Sequence, residues 1–366
     1  MKGDSPPLEY SDYLQLDRLL NAQAFKSAEH GRPAHDELLF IVIHQVYELW
    51  FKLILHELDS VRGIFLQEYV AEKDIGIAAS RLGRITEIQK ILIDQLRVLE
   101  TMTPLDFLEF RRFLAPASGF QSIQFRLLEN NLGMRSEQRL RFDRSPYYAH
   151  VSDERQSLLK HSEKEQSLFQ LIERWLERTP FIEFQGFNFW QSYREAVDDL
   201  LQHDRQTVLN NDRLSESERD KQLQELAKNE EHFAALFDEE KYRQLLATNR
   251  RRLSYKATQA ALLIHLYRDE PILHLPFRLL TVLVDIDELL ASWRNRHALM
   301  VQRMIGTKIG TGGSVGYHYL RNTVEKHKIF SDLFNLSTFL IPRSQLPELP
   351  AAVRKTLGFY YSTNEA

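Results

Sequence analysis

Two histidines stand in stretches of sequence that are otherwise apolar. His44 follows the run from Leu38 to Ile43, and His297 lies on a stripe of Leu279, Leu283, Ile286, Leu290, Trp293, Met300 and Met304. Burying an imidazole without a partner costs roughly 1–3 kcal/mol. Each ring is therefore either a satisfied core histidine, a ligand to a metal or haem, or a hydrogen-bonding group in a ligand pocket. Two such helices, each apolar enough to flank a flat hydrophobic cofactor, strengthen the functional readings jointly. The chain has 13 histidines but no cysteine. That excludes disulfides, thiol nucleophiles, zinc fingers, iron–sulfur clusters and thiolate-ligated haem. The spacing from His35 to His44 does not put two ligands on one helical face. The zinc-protease pattern is absent, although His56-Glu57-Leu58 begins like it, and so is G-x-S-x-G.

Arg111 follows Phe107 by four residues, so the two share a helix face. With Arg112 it is either a solvated basic pair or a guanidinium fork for a carboxylate beside an aromatic wall. Five of the 14 glycines crowd into 306–316. The run Gly310-Thr311-Gly312-Gly313-Ser314-Val315-Gly316 lacks the Lys-Ser/Thr of a P-loop and the third glycine of a dinucleotide fingerprint, which excludes nucleotide binding. It is either a connector or a loop that closes over a ligand, offering Thr311 and backbone N–H groups.

The elements that must position these residues are helical. Asp36 is a candidate cap for a helix over 36–58, apolar enough to be buried on most sides. His44, Glu48 and Lys52 are its polar positions, four apart, and with Phe40 they form one narrow line, with Glu48 and Lys52 as an i,i+4 ion pair. Leu82, Ile85, Ile88, Leu92, Leu96 and Leu99 predict an amphipathic helix over 80–100. Shorter helices follow at 105–114 and at 120–132, the latter ending at Gly133. A loop is expected over 134–155, helix over 156–178 and 187–203, and a long apolar helix over 275–305. Helical pattern recurs in FSDLFNLSTFLIP, and regular structure should fade at Pro342, Pro347 and Pro350. Residues 204–254 are rich in charged and amide side chains. They read as a helical insertion, which leaves 1–203 and 255–366 as the main body.

Composition is that of a globular protein: 366 residues, 43% hydrophobic, 27% charged, and 47 Lys+Arg against 51 Asp+Glu for a net charge of -4. Such a balance offers no footprint for nucleic acid or an anionic membrane. No uninterrupted run of 18 apolar residues predicts a spanning helix. The polar, acidic N-terminal segment reads as neither signal nor transit peptide, so a cytoplasmic protein is expected.

Several long blocks, in order, resemble the haem-dependent tryptophan 2,3-dioxygenase family. They are YSDYLQLDRLLNAQ at 10–23, HDELLFIVIHQVYELWFK at 35–52 and LETMTPLDFLEFRRFLAPASGFQSIQFRLLENNLG at 99–133. WRNRHALMVQRMIGTKIGTGGSVGYHYLR at 293–321 and FSDLFNLSTFLIPR at 330–343 complete the set. The insertion and the C-terminal block look more like the longer, animal-type members than the shortest bacterial ones. The resemblance implies an all-α, multi-helix haem-binding fold, assembled as a homotetramer with one haem b per subunit. It implies insertion of O₂ across the indole pyrrole double bond of L-tryptophan to give N-formyl-L-kynurenine, the first step of the kynurenine pathway. Matched residue by residue, His297 corresponds to the axial ligand of the ferrous haem iron. His44 corresponds to the distal histidine that hydrogen-bonds the indole N–H, Arg111 to the arginine on the substrate carboxylate, and Thr311 to the threonine at the ammonium end. Phe40 and Phe107 correspond to apolar pocket walls. Tyr10 and Tyr13 correspond to tyrosines that reach a neighbouring subunit's site. Ser118 and Gly119 match the segment at the haem edge, and Trp293 the tryptophan one turn before the axial histidine. The sequence departs from the family pattern at Val315, where serine is common, and at Arg112, where an acidic residue is frequent. These departures leave room for a shifted substrate range. They keep open a related haem enzyme acting on a tryptophan derivative, with a 2-oxindole-type product as one outcome. A haem-binding gas sensor would have no use for Arg111 and Thr311.

Overall fold

In the computed structural model, residues 7–139, 146–149, 151–180, 183–184, 187–306, 308 and 316–358 are described. The N-terminal part holds three short helices, α1 (Tyr10–Leu14), α2 (Leu16–Leu20) and α3 (Lys26–Glu29), then the long α4 (Glu37–Phe65) and α5 (Glu72–Leu99). Next come α6 (Pro104–Leu114), α7 (Ile123–Leu132), α8 (Asp153–Ser162) and α9 (Leu168–Glu177). A two-residue antiparallel ladder, β1 (Glu183–Phe184) with β2 (Phe187–Asn188), precedes α10 (Phe189–Leu209), α11 (Glu216–Phe237) and α12 (Glu239–Ala247). The C-terminal part holds α13 (Tyr255–Leu266), the 32-residue α14 (His274–Ile305), α15 (Gly316–Lys326), α16 (Ser331–Phe334) and α17 (Ala351–Leu357). The fold is all-α.

The core is built on α14, α5 and α4. The stripe Leu279, Leu283, Ile286 and Leu290 meets Leu82, Ile85, Ile88, Leu92 and Leu96, all buried. Each buried leucine or isoleucine withdraws apolar surface worth roughly 1.5–3 kcal/mol from water. The strongly periodic stripes thus decide how the long helices pack, and with that where His44 and His297 point.

Local signals set the ends of the shorter helices. Thr103 and Asp106 form a reciprocal capping box with Pro104 in the first turn, which starts α6 and so aims Phe107 and Arg111. Ser122 caps α7 by accepting from the Phe125 N–H. Gly133 ends α7 at φ +121, and a Cβ there would lie 2.6 Å from Phe169 Cβ, so both backbone angle and space require glycine.

Several expectations are corrected. Asp36 makes no side-chain cap bond to α4. Glu48 does not pair with Lys52. Its carboxylate instead accepts from the Ser122 hydroxyl (2.6 Å) and Gln124 Nε2 (2.9 Å), tying α4 to the start of α7. α4 is buried along one stripe only and leaves Leu38, Val42 and Leu49 exposed. It is also long and apolar enough to cross a membrane by length and composition, a property shared by core helices of soluble proteins. The stretch read as loop over 134–155 already enters α8 at Asp153, and helix over 156–178 is broken between α8 and α9. Beyond Pro350 the chain does not fade but forms α17, because proline is at home immediately before a helix.

Candidate active site

One cavity, of about 290 Å³, gathers most of the residues singled out above. Phe40 and His44 reach it from α4, Phe107 and Arg111 from α6, Ser118 and Gly119 from the following turn, and Trp293 and His297 from α14. Leu96, Leu99, Met102, Met300 and Met304 supply apolar wall. Tyr10 and Tyr13 are not brought there. They stand on the surface, 75% and 71% exposed. Thr311 lies outside the described residues.

The two histidines differ in how they are held. His44 Nδ1 lies 2.6 Å from the Phe40 carbonyl oxygen. A carbonyl only accepts, so Nδ1 carries the proton and Nε2 the lone pair. Burial lowers the His44 pKa, against smaller upward effects of that hydrogen bond and of Glu48, so the ring is neutral at pH 7. His297 makes no hydrogen bond among the described residues. Its ring stacks on Trp293, centroids 5.2 Å apart and planes 6° from parallel. Burial, with a smaller contribution from His44, pushes its pKa down to about 4. It too is neutral, with a lone pair available.

The aromatic wall is continuous. Phe40 packs on Phe107 at 5.7 Å, and both pack on the fully buried Phe110 at 5.6 and 5.5 Å. Arg111, half-buried, follows one turn after Phe107 on the same helix.

Another part of the wall is polar, and sequence reasoning missed it. Glu129 accepts from Arg126 (3.0 Å), Arg139 and Arg294 (2.9 Å), and His327 Nδ1 lies 3.7 Å away. Burial raises the Glu129 pKa, but Arg139, Arg126, His327 and Arg294 outweigh it and hold the carboxyl well below its ordinary range. The available signal was the occurrence of Arg126, Glu129 and Arg294 on otherwise apolar helix faces. The members of the cluster come from α7, the turn after it, α14 and the residue just after α15, which no spacing rule connects. Among the described residues, Arg126 Nε is buried without a hydrogen-bond partner.

An apolar chamber walled by helices, furnished with two neutral imidazoles and a guanidinium, places the chain among all-α enzymes that work in water-poor pockets. Its sequence matches the tryptophan 2,3-dioxygenase family over residues 2–340, and the chain belongs to that family. It is 55% identical to a tryptophan 2,3-dioxygenase of Bdellovibrio bacteriovorus, over 97% of this chain and 99% of that protein. It is 52% identical to one from Dictyostelium discoideum, over 96% of this chain and 88% of that protein. Tryptophan 2,3-dioxygenase B of Danio rerio is 50% identical over 94% of this chain and 85% of that protein. Bacterial and animal members thus match to similar degrees, and the likeness is not confined to the animal type.

Proposed function

We propose that this chain oxidises L-tryptophan, inserting both atoms of O₂ across the C2–C3 bond of indole to give N-formyl-L-kynurenine. Family membership favours this over a tryptophan-derivative or single-oxygen reaction. The observation that carries it is the convergence of His44, Phe40, Phe107, Arg111 and His297 on one cavity. An indole needs an apolar slot and an acceptor for its N–H, and an amino acid's carboxylate needs a cation.

Haem b fits the residues present. It is an apolar disc with two carboxylates, and its iron takes a neutral nitrogen ligand. His297 would hold the iron, beside Trp293 and with Ser118 and Gly119 at the haem edge. The orphaned Arg126 Nε on the cavity wall offers a donor to a carboxylate. Bound haem would supply the redox-active iron at which dioxygen is activated.

The chain's own groups do the rest. Phe40 and Phe107 confine the indole plane. The Arg111 fork takes the carboxylate. His44 Nε2 accepts from the indole N–H and leaves the proton on nitrogen, which fixes the orientation of C2–C3. Thr311 is assigned to the ammonium end by family resemblance. The apolar walls exclude water.

Tyr10 and Tyr13 are assigned to a neighbouring subunit's site in a homotetramer. The exposed Leu38, Val42 and Leu49 of α4 supply apolar surface that a second copy would cover. The same face accounts for the apolarity of α4 without a membrane, in keeping with a cytoplasmic enzyme. Residues 1–203 and 255–366 form the haem and substrate body, and no residue of the 204–254 insertion is among those lining the cavity.

Mass spectrometry of the product from tryptophan and ¹⁸O₂ tests this reading. Two labelled oxygens in one product molecule are expected. A product carrying a single labelled oxygen would overturn it.

A further inference from the structure

Histidines that ligate metals are ordinarily oriented by a hydrogen bond from their second ring nitrogen to a carboxylate, carbonyl or water. His297 has no such protein partner among the described residues, and Trp293 is its stacking neighbour. What holds Trp293 therefore decides where the imidazole plane lies.

Trp293 is gripped from two sides. Phe125 of α7 packs on it at 5.2 Å and 43°, and Tyr47 of α4 at 6.2 Å and 53°. The indole N–H can only donate, and it points to the Tyr47 oxygen at 3.4 Å. Tyr47 spends its own proton on the Leu92 carbonyl of α5, which leaves its oxygen lone pairs to accept. Burial pushes the Tyr47 phenol up to about 12, so it keeps that proton across the physiological range. The direction of the chain is thus determined: Trp293 N–H to Tyr47 O–H to Leu92 C=O. It runs from α14 through α4 to α5, the three helices whose apolar stripes form the core.

We infer that Tyr47 is a positioning residue for the His297 imidazole, holding the Trp293 indole in the plane on which that ring stacks. This rests on His297 being the haem ligand. Tyr47 sits three residues from His44 on the same helix, so α4 contributes both to substrate orientation and to the setting of the axial ligand.

The test uses the haem-loaded enzyme and four variants: Tyr47→Phe, Trp293→Phe, their double and His297→Ala. Tyr47→Phe deletes only the hydroxyl, and Trp293→Phe keeps a ring but removes the N–H. In the ferrous parent, resonance Raman should show one narrow iron–histidine stretching band. In Tyr47→Phe the band should broaden or shift, and haem should transfer to an excess of apo-globin roughly two- to tenfold faster. Trp293→Phe should give the same change, and the double variant should add little to either, as expected for members of one hydrogen-bonded chain. A purely structural role for Tyr47 would lower the melting temperature while leaving band and transfer rate as in the parent, and that result overturns the inference. Additive effects in the double variant would also overturn it. His297→Ala separates this from the underlying assignment: full haem retention with an unaltered iron–histidine band would show that another residue ligates the iron, and the reading on which the inference rests would fall first.

Discussion

The α4–α6 wall and the α14 wall each present a neutral imidazole to the same cavity, but they hold it differently. His44 is tethered through Nδ1 to the Phe40 carbonyl and exposed to the cavity, so that Nε2 is a defined acceptor. His297 is untethered among the described residues and is fixed by the plane of Trp293, with burial pushing its pKa to about 4. A hydrogen bond to one ring nitrogen sets a tautomer, which suits recognition of an N–H group. A stack fixes the ring plane and leaves the lone pair of the neutral ring uncommitted, which is what an axial ligand needs. Residue type alone does not divide these roles. The difference comes from what the preceding turn offers: a carbonyl four residues before His44, an indole four residues before His297.

Removing His297 should break the comparison most completely. His297→Ala is expected to lose most haem and all measurable turnover while the far-ultraviolet helical signal persists. A Soret band at parental intensity per subunit would mean that the α14 wall does not carry the iron.

Arg111 tests the α6 side. A carboxylate buried in this chamber needs a charged, planar partner, and breaking such a pair typically costs about 3–5 kcal/mol. At about 1.4 kcal/mol per tenfold, kcat/KM for tryptophan should fall roughly 10²–10⁴-fold in Arg111→Ala. Lysine should not restore it, because a point charge does not reproduce the fork. Tryptamine, which lacks the carboxylate, should be a poor substrate of the parent and should lose far less in the variant. Equal losses for both compounds would assign Arg111 to support of the cavity rather than to the substrate.

How far sequence leads differs along the same lines. The apolar stripes of α5 and α14 are long and strongly periodic: α14 forms within one residue of the 275–305 that its stripe predicts, and α5 ends at Leu99 as expected but starts at Glu72, eight residues before the predicted 80. Phe107 and Arg111 share a face because four residues is one helical turn, and the cavity contains both. The Glu129 cluster was not legible. Arg126 and Glu129 are three residues apart, but Arg294 and His327 approach them only through the packing of α14 and α15. Tyr47 was hidden for a related reason: a tyrosine on an apolar helix reads as core, and its acceptor role depends on Leu92 and Trp293 arriving from two other helices. The Glu48–Lys52 pair failed because Ser122 and Gln124 offered a half-buried carboxylate shorter-range partners than a solvated lysine one turn away.

The smallest effect should come from His44, and its size discriminates between roles. A general base essential to the reaction would be worth about 10²–10⁴ in rate. A single orienting hydrogen bond, at roughly 0.5–1.5 kcal/mol, is worth only about two- to twelvefold. The indole N–H is a very weak acid, and a ring whose pKa is lowered by burial is a weaker base than free imidazole. Both considerations favour orientation, so His44→Ala should retain measurable turnover with intact haem. The variant should also handle 1-methyltryptophan relatively better than the parent does, since that substrate has no N–H to lose. The sign of the pH dependence follows from the same lowered pKa. Protonation puts a hydrogen on Nε2, which can then no longer accept from indole, and burial moves this to more acidic pH than for a free imidazole. The KM for tryptophan in the parent should therefore stay flat on the alkaline side of neutrality and rise on acidification, at lower pH than a free imidazole would titrate, while in His44→Ala the acidic rise should disappear. Complete loss of turnover in His44→Ala, with haem and tryptophan still bound, would make His44 a base and erase the distinction between a recognising and a ligating imidazole.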